Sequence, residues 1–218
     1  MFSERPDRVC AVIGTGPSLT LEQILLLDEY GIPKFGANRA YEFNLHVHYS
    51  CNWQFYDVYW KELKNRFCHW WTCQQIAADK YGIRYIAEKW MDGLCRDPDY
   101  ISPHHGSGPA LINLAYHYGA RKIILIGWDM RYPGRKDNRT YTLPRHYFGE
   151  YDPALQHWPR TGPNGELEGL IDEMKTINPA DYGLDIVNCT PGSALHHFRM
   201  GDLRHEISLG ERTARSTL

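Results

Sequence analysis

The 218-residue sequence predicts a single α/β domain, residues 1–218, built in three layers around a mostly parallel sheet, with a lid-like insertion at about 130–164. Three observations carry that expectation. Short β-like runs alternate with helical runs from residue 9 onward, the rhythm of parallel strands joined by crossover helices. A Gly-rich turn, Gly14-Thr15-Gly16-Pro17-Ser18, separates the first strand from the first helix. The uninterrupted run Ile123-Ile124-Leu125-Ile126, bounded by charge and by Gly127, suits a central strand covered on both faces.

The elements follow in order. Val9–Ile13 reads as the first strand and Thr20–Tyr30 as a helix, with Thr20 as N-cap and Gln23 as its capping-box partner. Gly31 stops that helix, and Ile32-Pro33 leads into a second strand at Lys34–Ala37. A third strand at His46–Ser50, a helix at Gln54–Asn65, a strand at Phe67–Thr72, a helix at Gln74–Tyr81 and a strand at Ile83–Ala87 come next. Ser107–Tyr118 has helical periodicity, with Ser107 as its N-cap, and Gly119 ends it ahead of the strand Lys122–Gly127. Residues 130–164 then lose any period, far beyond the usual connection of about 2–6 residues in α/β units. A helix at Glu166–Ile177 and a strand at Asp185–Asn188 resume the fold, and the tail frays from about 207.

Composition narrows the function classes. An apolar fraction of 43% and a net charge of −2 describe an ordinary globular chain with no global pull toward nucleic acid. No stretch reaches the roughly 18 apolar residues of a membrane span, and residues 1–8 are polar, so a soluble, cytoplasmic protein is expected. Six cysteines without a CxxC pair read as reduced, largely core thiols.

Several places carry chemistry. The turn Gly14–Ser18 lets backbone approach a ligand, and the helix behind it turns unpaired N–H groups and a positive dipole end toward an anion; a tight turn without ligand is its structural alternative. Asn38 follows the second strand, where its amide either fixes a ligand hydroxyl or phosphate or serves as a turn residue, and Arg39 is either a ligand contact or a surface charge. Ser107 and Gly108 open a helix from a Gly/Ser loop, and Asp129 follows the central strand at the floor of the same crevice. His46-x-His48 places two imidazoles on one strand face, but zinc takes three or four protein ligands and no further spacing supplies them. His196-His197 reads as structural and His69-Trp70-Trp71 as core or interface. Within 130–164, Arg131, Arg135, Lys136, Arg139 and Arg145 stand against the single acid Asp137 up to Arg145, suited to a leaving phosphate or a polyanionic acceptor, with a plain solvated loop as the alternative. His146 and His157 are the imidazoles able to act as general base near pH 7, a loop histidine without a role being the alternative for either.

Five short motifs occur in a recognisable order: Gly-x-Gly-Pro-Ser-Leu at 14–19, Asn38, Ser107-Gly108, Gly127-x-Asp129, and Asn188-Cys189-Thr190-Pro191-Gly192-Ser193. Together they resemble the Rossmann-like, GT-A-type bacterial sialyltransferases that use CMP-activated sugars, and the related archaeal hydroxymethylpterin diphosphokinases. The resemblance spans about residues 9–198. It implies a Rossmann-like domain in which Gly14, Thr15, Gly16, Pro17 and Ser18 line a phosphate site and Asn38 contacts the nucleotide. Ser107 and Gly108 would hold base or ribose, and Asn188, Pro191 and Ser193 would complete the pocket or the packing beside it. Thr15 stands where those sialyltransferases carry Asn, and Glu150 follows His146-Tyr147-Phe148-Gly149 where they carry the general base, leaving Glu150, His157 or His146 for that role. Tyr132 and Tyr141 are loose counterparts of their phosphate-binding tyrosines.

The function expected is a glycosyltransferase moving a sugar from a nucleotide-activated donor to an acceptor hydroxyl, with the nucleotide sugar as co-substrate, no tightly bound cofactor and no metal. The alternatives are an ATP- and Mg2+-dependent pyrophosphokinase acting on a pterin-like compound, with Asp129 among its metal ligands, and a nucleotide- or nucleic-acid-binding module without catalysis. The acceptor is open between glycan, small molecule and nucleic acid, a DNA base in a phage or bacterial setting being one case.

Overall fold

The structure is a computed structural model that describes residues 8–103, 106–131, 147–149, 152, 155 and 165–208. Its centre is an eight-stranded sheet in which every neighbouring pair runs parallel. The strands are β1 (Val9–Ile13), β2 (Lys34–Ala37), β3 (Val47–Tyr49), β4 (His69–Thr72), β5 (Arg84–Tyr85), β8 (Lys122–Ile126), β9 (Asp185–Asn188) and β10 (Arg199–Met200). Two short strands, β6 (Ala87–Glu88) and β7 (Tyr100–Ile101), pair separately. Across the main sheet the order is β10-β9-β8-β1-β2-β3-β4-β5. The chain therefore winds one way from β1 to β5 and resumes at β8 on the other side of β1. That reversal between β1 and β8 is the topological switch point where open parallel sheets bind ligands.

The period-two alternation of the strands builds the three layers. Cys10 and Val12 of β1, with Ile123 and Leu125 of β8, face a core shared with α4 (Ser107–His117) and with Met174 of α5 (Gly165–Met174). Val9, Ala11 and Ile13, with Ile124 and Ile126, face the opposite core under α1 (Leu21–Glu29) and the helical residues 203–208, here α6. Both faces of the central strands are dry, so burial of each such Ile or Leu contributes roughly 1.5–3 kcal/mol. A third, aromatic cluster holds α2 (Trp53–Leu63) and α3 (Gln75–Tyr81) beside β3 and β4.

The expected α/β class and parallel sheet are thus present, and the differences are local. β4 starts at His69 and not Phe67, because Phe67 is 97% exposed in the irregular chain before it. The expected strand 83–87 is split: Arg84–Tyr85 extends the main sheet while Ala87–Glu88 turns away to pair with β7. Ser107 is not the N-cap of α4; Gly106 holds that position in extended conformation and Ser107 is the first helical residue. The helix expected at Glu166–Ile177 runs Gly165–Met174. The expected tail from about 207 begins inside α6, where Ile207 is buried, and residues 209–218 lie outside the described ones. All six cysteines are free thiols, and among the described residues no helix is long and apolar enough to cross a membrane.

Candidate functional site

A cleft of about 270 Å³ opens at the carboxyl ends of β1, β2 and β8, at the switch point. Four sequence segments converge there: Gly14–Pro17 after β1, Asn38 after β2, Gly106–Pro109 at the start of α4, and Gly127–Arg131 after β8. Leu167 and Leu170 of α5 close one side. The lining is mainly apolar, with a few polar groups spaced around it, the usual make-up of a small-molecule site.

The turn after β1 is held by the turn after β8. Gly14 N–H donates to Ile126 O at 2.8 Å and Gly16 N–H to Gly127 O at 2.9 Å. Ser18 donates twice to Asp129, from its N–H to Oδ1 at 3.2 Å and from its hydroxyl to Oδ2 at 2.8 Å. The two turns touch so closely that a Cβ on Gly14 would lie 2.3 Å from Gly127 O. These glycines are required by backbone meeting backbone, and Gly127 adds a positive φ of 69°. Three N–H groups of the turn, on Gly14, Gly16 and Ser18, are therefore already paired inside the protein. The start of α1 is likewise self-satisfied, by the reciprocal Thr20–Gln23 capping box.

At the start of α4, by contrast, no side chain caps the helix among the described residues, and Gly106, Ser107, Gly108 and Pro109 all line the cleft. Ser107 Oγ faces inward and accepts from Cys51 N–H at 3.1 Å, tying α4 to the end of β3. Gly108 accommodates the Trp128 indole, whose edge would lie 3.3 Å from a Cβ there. Trp128 is itself pinned, its Nε1–H donating to Val12 O at 3.0 Å.

Asp129 is the acid of the cleft. Burial pushes its carboxyl above the ordinary carboxylate value, while the two bonds from Ser18 and the nearby Arg131 pull it back. Asn188 and Ser193 lie behind the cleft and do not line it. Ser193 Oγ accepts from Asn188 Nδ2 and Leu195 N–H, both at 3.0 Å, and donates to Trp128 O at 2.5 Å, which uses all its capacity. Thr190 Oγ1 accepts from Trp128 N–H at 2.9 Å. Of the two roles expected for Asn188 and Ser193, this is the packing beside the pocket: the 188–193 turn holds Trp128-Asp129 in place.

No family model, curated protein or solved structure matches this chain.

What the site can do therefore rests on its own geometry. Tyr147–Gly149 docks against the cleft's rim: Tyr147 N–H donates to Thr15 O at 2.9 Å, and Arg39 donates to Phe148 O at 2.8 Å with its guanidinium 4.9 Å from the Phe148 ring centroid. Arg39, open between ligand contact and surface charge in the sequence, is an anchor for this segment. Its Nε and Nη2 both donate to Glu42 Oε1, at 3.0 and 2.8 Å. His146, Glu150, His157, Tyr132, Arg135 and Tyr141 lie outside the described residues.

His46 and His48 do not form a pair on one face of a zinc site. His46 precedes β3, and its Nδ1 accepts from Lys34 N–H at 3.1 Å. His48 is fully buried, which pushes its imidazole down to about 3 and keeps it neutral. Among the described residues no group of three or more His, Cys, Asp or Glu could hold a metal ion. His197 Nε2 bonds Ile177 O at 2.8 Å, and Trp71 Nε1–H donates to Tyr118, both structural ties. Sequence reasoning missed Met130, Leu167 and Leu170 as cleft residues. The i, i+3 spacing of the two leucines on α5 was the one available signal.

Proposed function

We propose that the chain is a transferase using a nucleotide-activated donor, a nucleotide-sugar-dependent glycosyltransferase, with the nucleotide bound in the switch-point cleft. The observation that carries this reading is the convergence on one cleft of Gly14–Pro17, Asn38, Ser107-Gly108 and Asp129, segments far apart in sequence. They belong to four of the five features on which the resemblance to CMP-sugar-using sialyltransferases rests; the fifth, Asn188–Ser193, packs behind the cleft. The apolar walls suit a flat base or a ribose, and Asp129 suits a ribose hydroxyl. The start of α4 offers a positive helix end to a phosphate or a base carbonyl. His146, Glu150 and His157 are the groups proposed to deprotonate the acceptor. The first two flank in sequence the Tyr147–Gly149 segment that docks on Thr15.

The test is a thermal-shift series with CMP, CDP, UDP, GDP, ADP, ATP and pterins, each with and without Mg2+, followed by donor turnover with the stabilising nucleotide. A ligand binding only the folded state adds about 2.7 kcal/mol at a hundredfold excess over its dissociation constant. Metal-independent stabilisation by a sugar-carrier nucleotide, with turnover of its sugar conjugate, supports the reading. Stabilisation by ATP only with Mg2+ replaces it with a pyrophosphokinase. Binding without turnover of any conjugate reduces it to a nucleotide-binding module.

A further inference from the structure

The loop after β2 holds an uncommon backbone conformation at the cleft. Asn38 has φ of 49°, in the left-handed region, and starts a 3-10 turn over Asn38–Phe43. Asn is among the few residues other than Gly that tolerate this region, which accounts for the residue type in part. His48 of β3 and Ser50, the residue just past its end, are two apart in extended chain and reach the same point from one side. His48 Nε2 lies 3.0 Å from Asn38 O. A carbonyl only accepts, so Nε2 carries the proton and donates. Ser50 Oγ lies 3.1 Å from Asn38 Oδ1 and also accepts from Asn52 N–H at 3.2 Å. Its single hydrogen goes to the nearer of its two acceptors, Asn38 Oδ1, because Asn52 O is 3.4 Å away. Both side chains are fully buried, so neither bond competes with bulk water.

We infer that His48 and Ser50 are positioning residues which clamp Asn38 so that its Nδ2 faces the cleft, and that the cleft therefore donates a hydrogen bond there to an acceptor atom of its ligand. With Oδ1 committed to Ser50, Asn38 reads a carbonyl, ring nitrogen or phosphoryl oxygen and rejects a donor. This inference rests on the nucleotide reading for the ligand's identity but not for the clamp itself.

The test uses the full chain and two readouts. Titration calorimetry with CMP as probe measures the donor role. Asn38→Gly keeps the left-handed backbone and removes the amide, and Asn38→Asp keeps the shape and the Ser50 bond while replacing the donor by an acceptor. Each is expected to weaken CMP binding by roughly tenfold or more, while only Asn38→Gly also lowers the thermal stability of the free protein, through loss of the buried Ser50 bond. Ser50→Ala is expected to weaken it several-fold, with Ser50→Thr restoring it. Amide-resolved NMR of the unliganded protein measures the clamp: the Asn38 side-chain NH2 pair, assigned by its loss in Asn38→Asp, should shift in Ser50→Ala and return in Ser50→Thr. An Asn38 pair indifferent to Ser50→Ala overturns the clamp. Undiminished CMP binding by Asn38→Asp overturns the donor role. A wild-type protein that ignores CMP and the other nucleotides, yet shows the Ser50-dependent NMR shift, removes the nucleotide reading and leaves the clamp standing.

Discussion

Gly16 sits against Asp129 so closely that a Cβ on it would lie 1.9 Å from Oδ2 and 2.7 Å from Gly127 O. The same carboxylate receives both donors of Ser18, so one acidic group holds the turn after β1 and faces the cleft. Gly16→Ala must push the β1 and β8 turns apart or rotate Asp129 out of its bonds. The expected cost is about 1–3 kcal/mol in chemical denaturation, as for overpacking elsewhere, with loss of whatever ligand stabilisation the wild type shows. A variant of unchanged stability would mean the two turns yield more easily than their backbone bonds suggest.

Arg39 anchors Tyr147–Gly149 through one hydrogen bond and one ring contact. In Arg39→Ala the Tyr147 N–H, bonded to Thr15 O, loses its supporting neighbour. Hydrogen exchange at Tyr147 should accelerate by an order of magnitude or more relative to the core strands, since each such contact is worth about 1 kcal/mol or more. Equal exchange in both proteins would reassign the docking to Phe43, whose ring lies 5.4 Å from that of Tyr147.

His48 should be silent across neutral pH. Desolvation lowers its imidazole from 6.5 to about 3, opposed by its bond to Asn38 O. The folded state therefore refuses a proton that the unfolded chain accepts, and stability falls as pH drops below about 6.5. Its ring resonances should stay flat between about pH 5 and 8. A midpoint near neutrality would show the ring to be hydrated.

Glu206 anchors α6 to the sheet. Its Oε2 meets Lys122 Nζ at 2.8 Å and its Oε1 meets Arg199 Nη1 at 2.6 Å. Hydrogen bonds from Arg199 and Lys122 hold its carboxyl at about 2, against 4.5 ordinarily. A depressed acid stabilises above its unfolded value and loses that contribution as pH falls toward the folded one. Roughly 2 kcal/mol is expected at pH 7, less than the full linkage because Arg199 is half exposed to solvent. Denaturation of Glu206→Gln and wild type should differ at neutral pH and converge as the pH approaches 2. A gap that persists at the acid end would point to packing and not charge.

The long, periodic elements were legible in the sequence, and the short ones were not. β1, α1, β2, α4, β8 and β9 stand within a residue or two of their expected bounds, because four or more residues of regular burial leave a pattern. The two-residue strands β6, β7 and β10 and the turn at Asn38–Phe43 are too short to show a period. The exposed Phe67 misled for another reason: apolarity marks what can be buried, and only the packing around residues 64–68 decides what is.

By itself the sequence determined the fold class, through alternating strand and helix periods, and it marked the Gly14–Ser18, Asn38, Ser107-Gly108 and Asp129 positions as special residue types in turns. Only the tertiary structure decided what those types are for. Gly14 and Gly16 make room for a second backbone, that of Gly127, which belongs to a turn reached only when β8 pairs with β1. Asn188 and Ser193 are spent on holding Trp128, and Ser107 on Cys51. Asn38, just past β2, is oriented by His48 of the neighbouring β3 and by Ser50 just past its end. Local propensity is written in neighbouring residues, whereas hydrogen-bond partners across parallel strands are chosen by register and crossover, which no stretch of sequence contains.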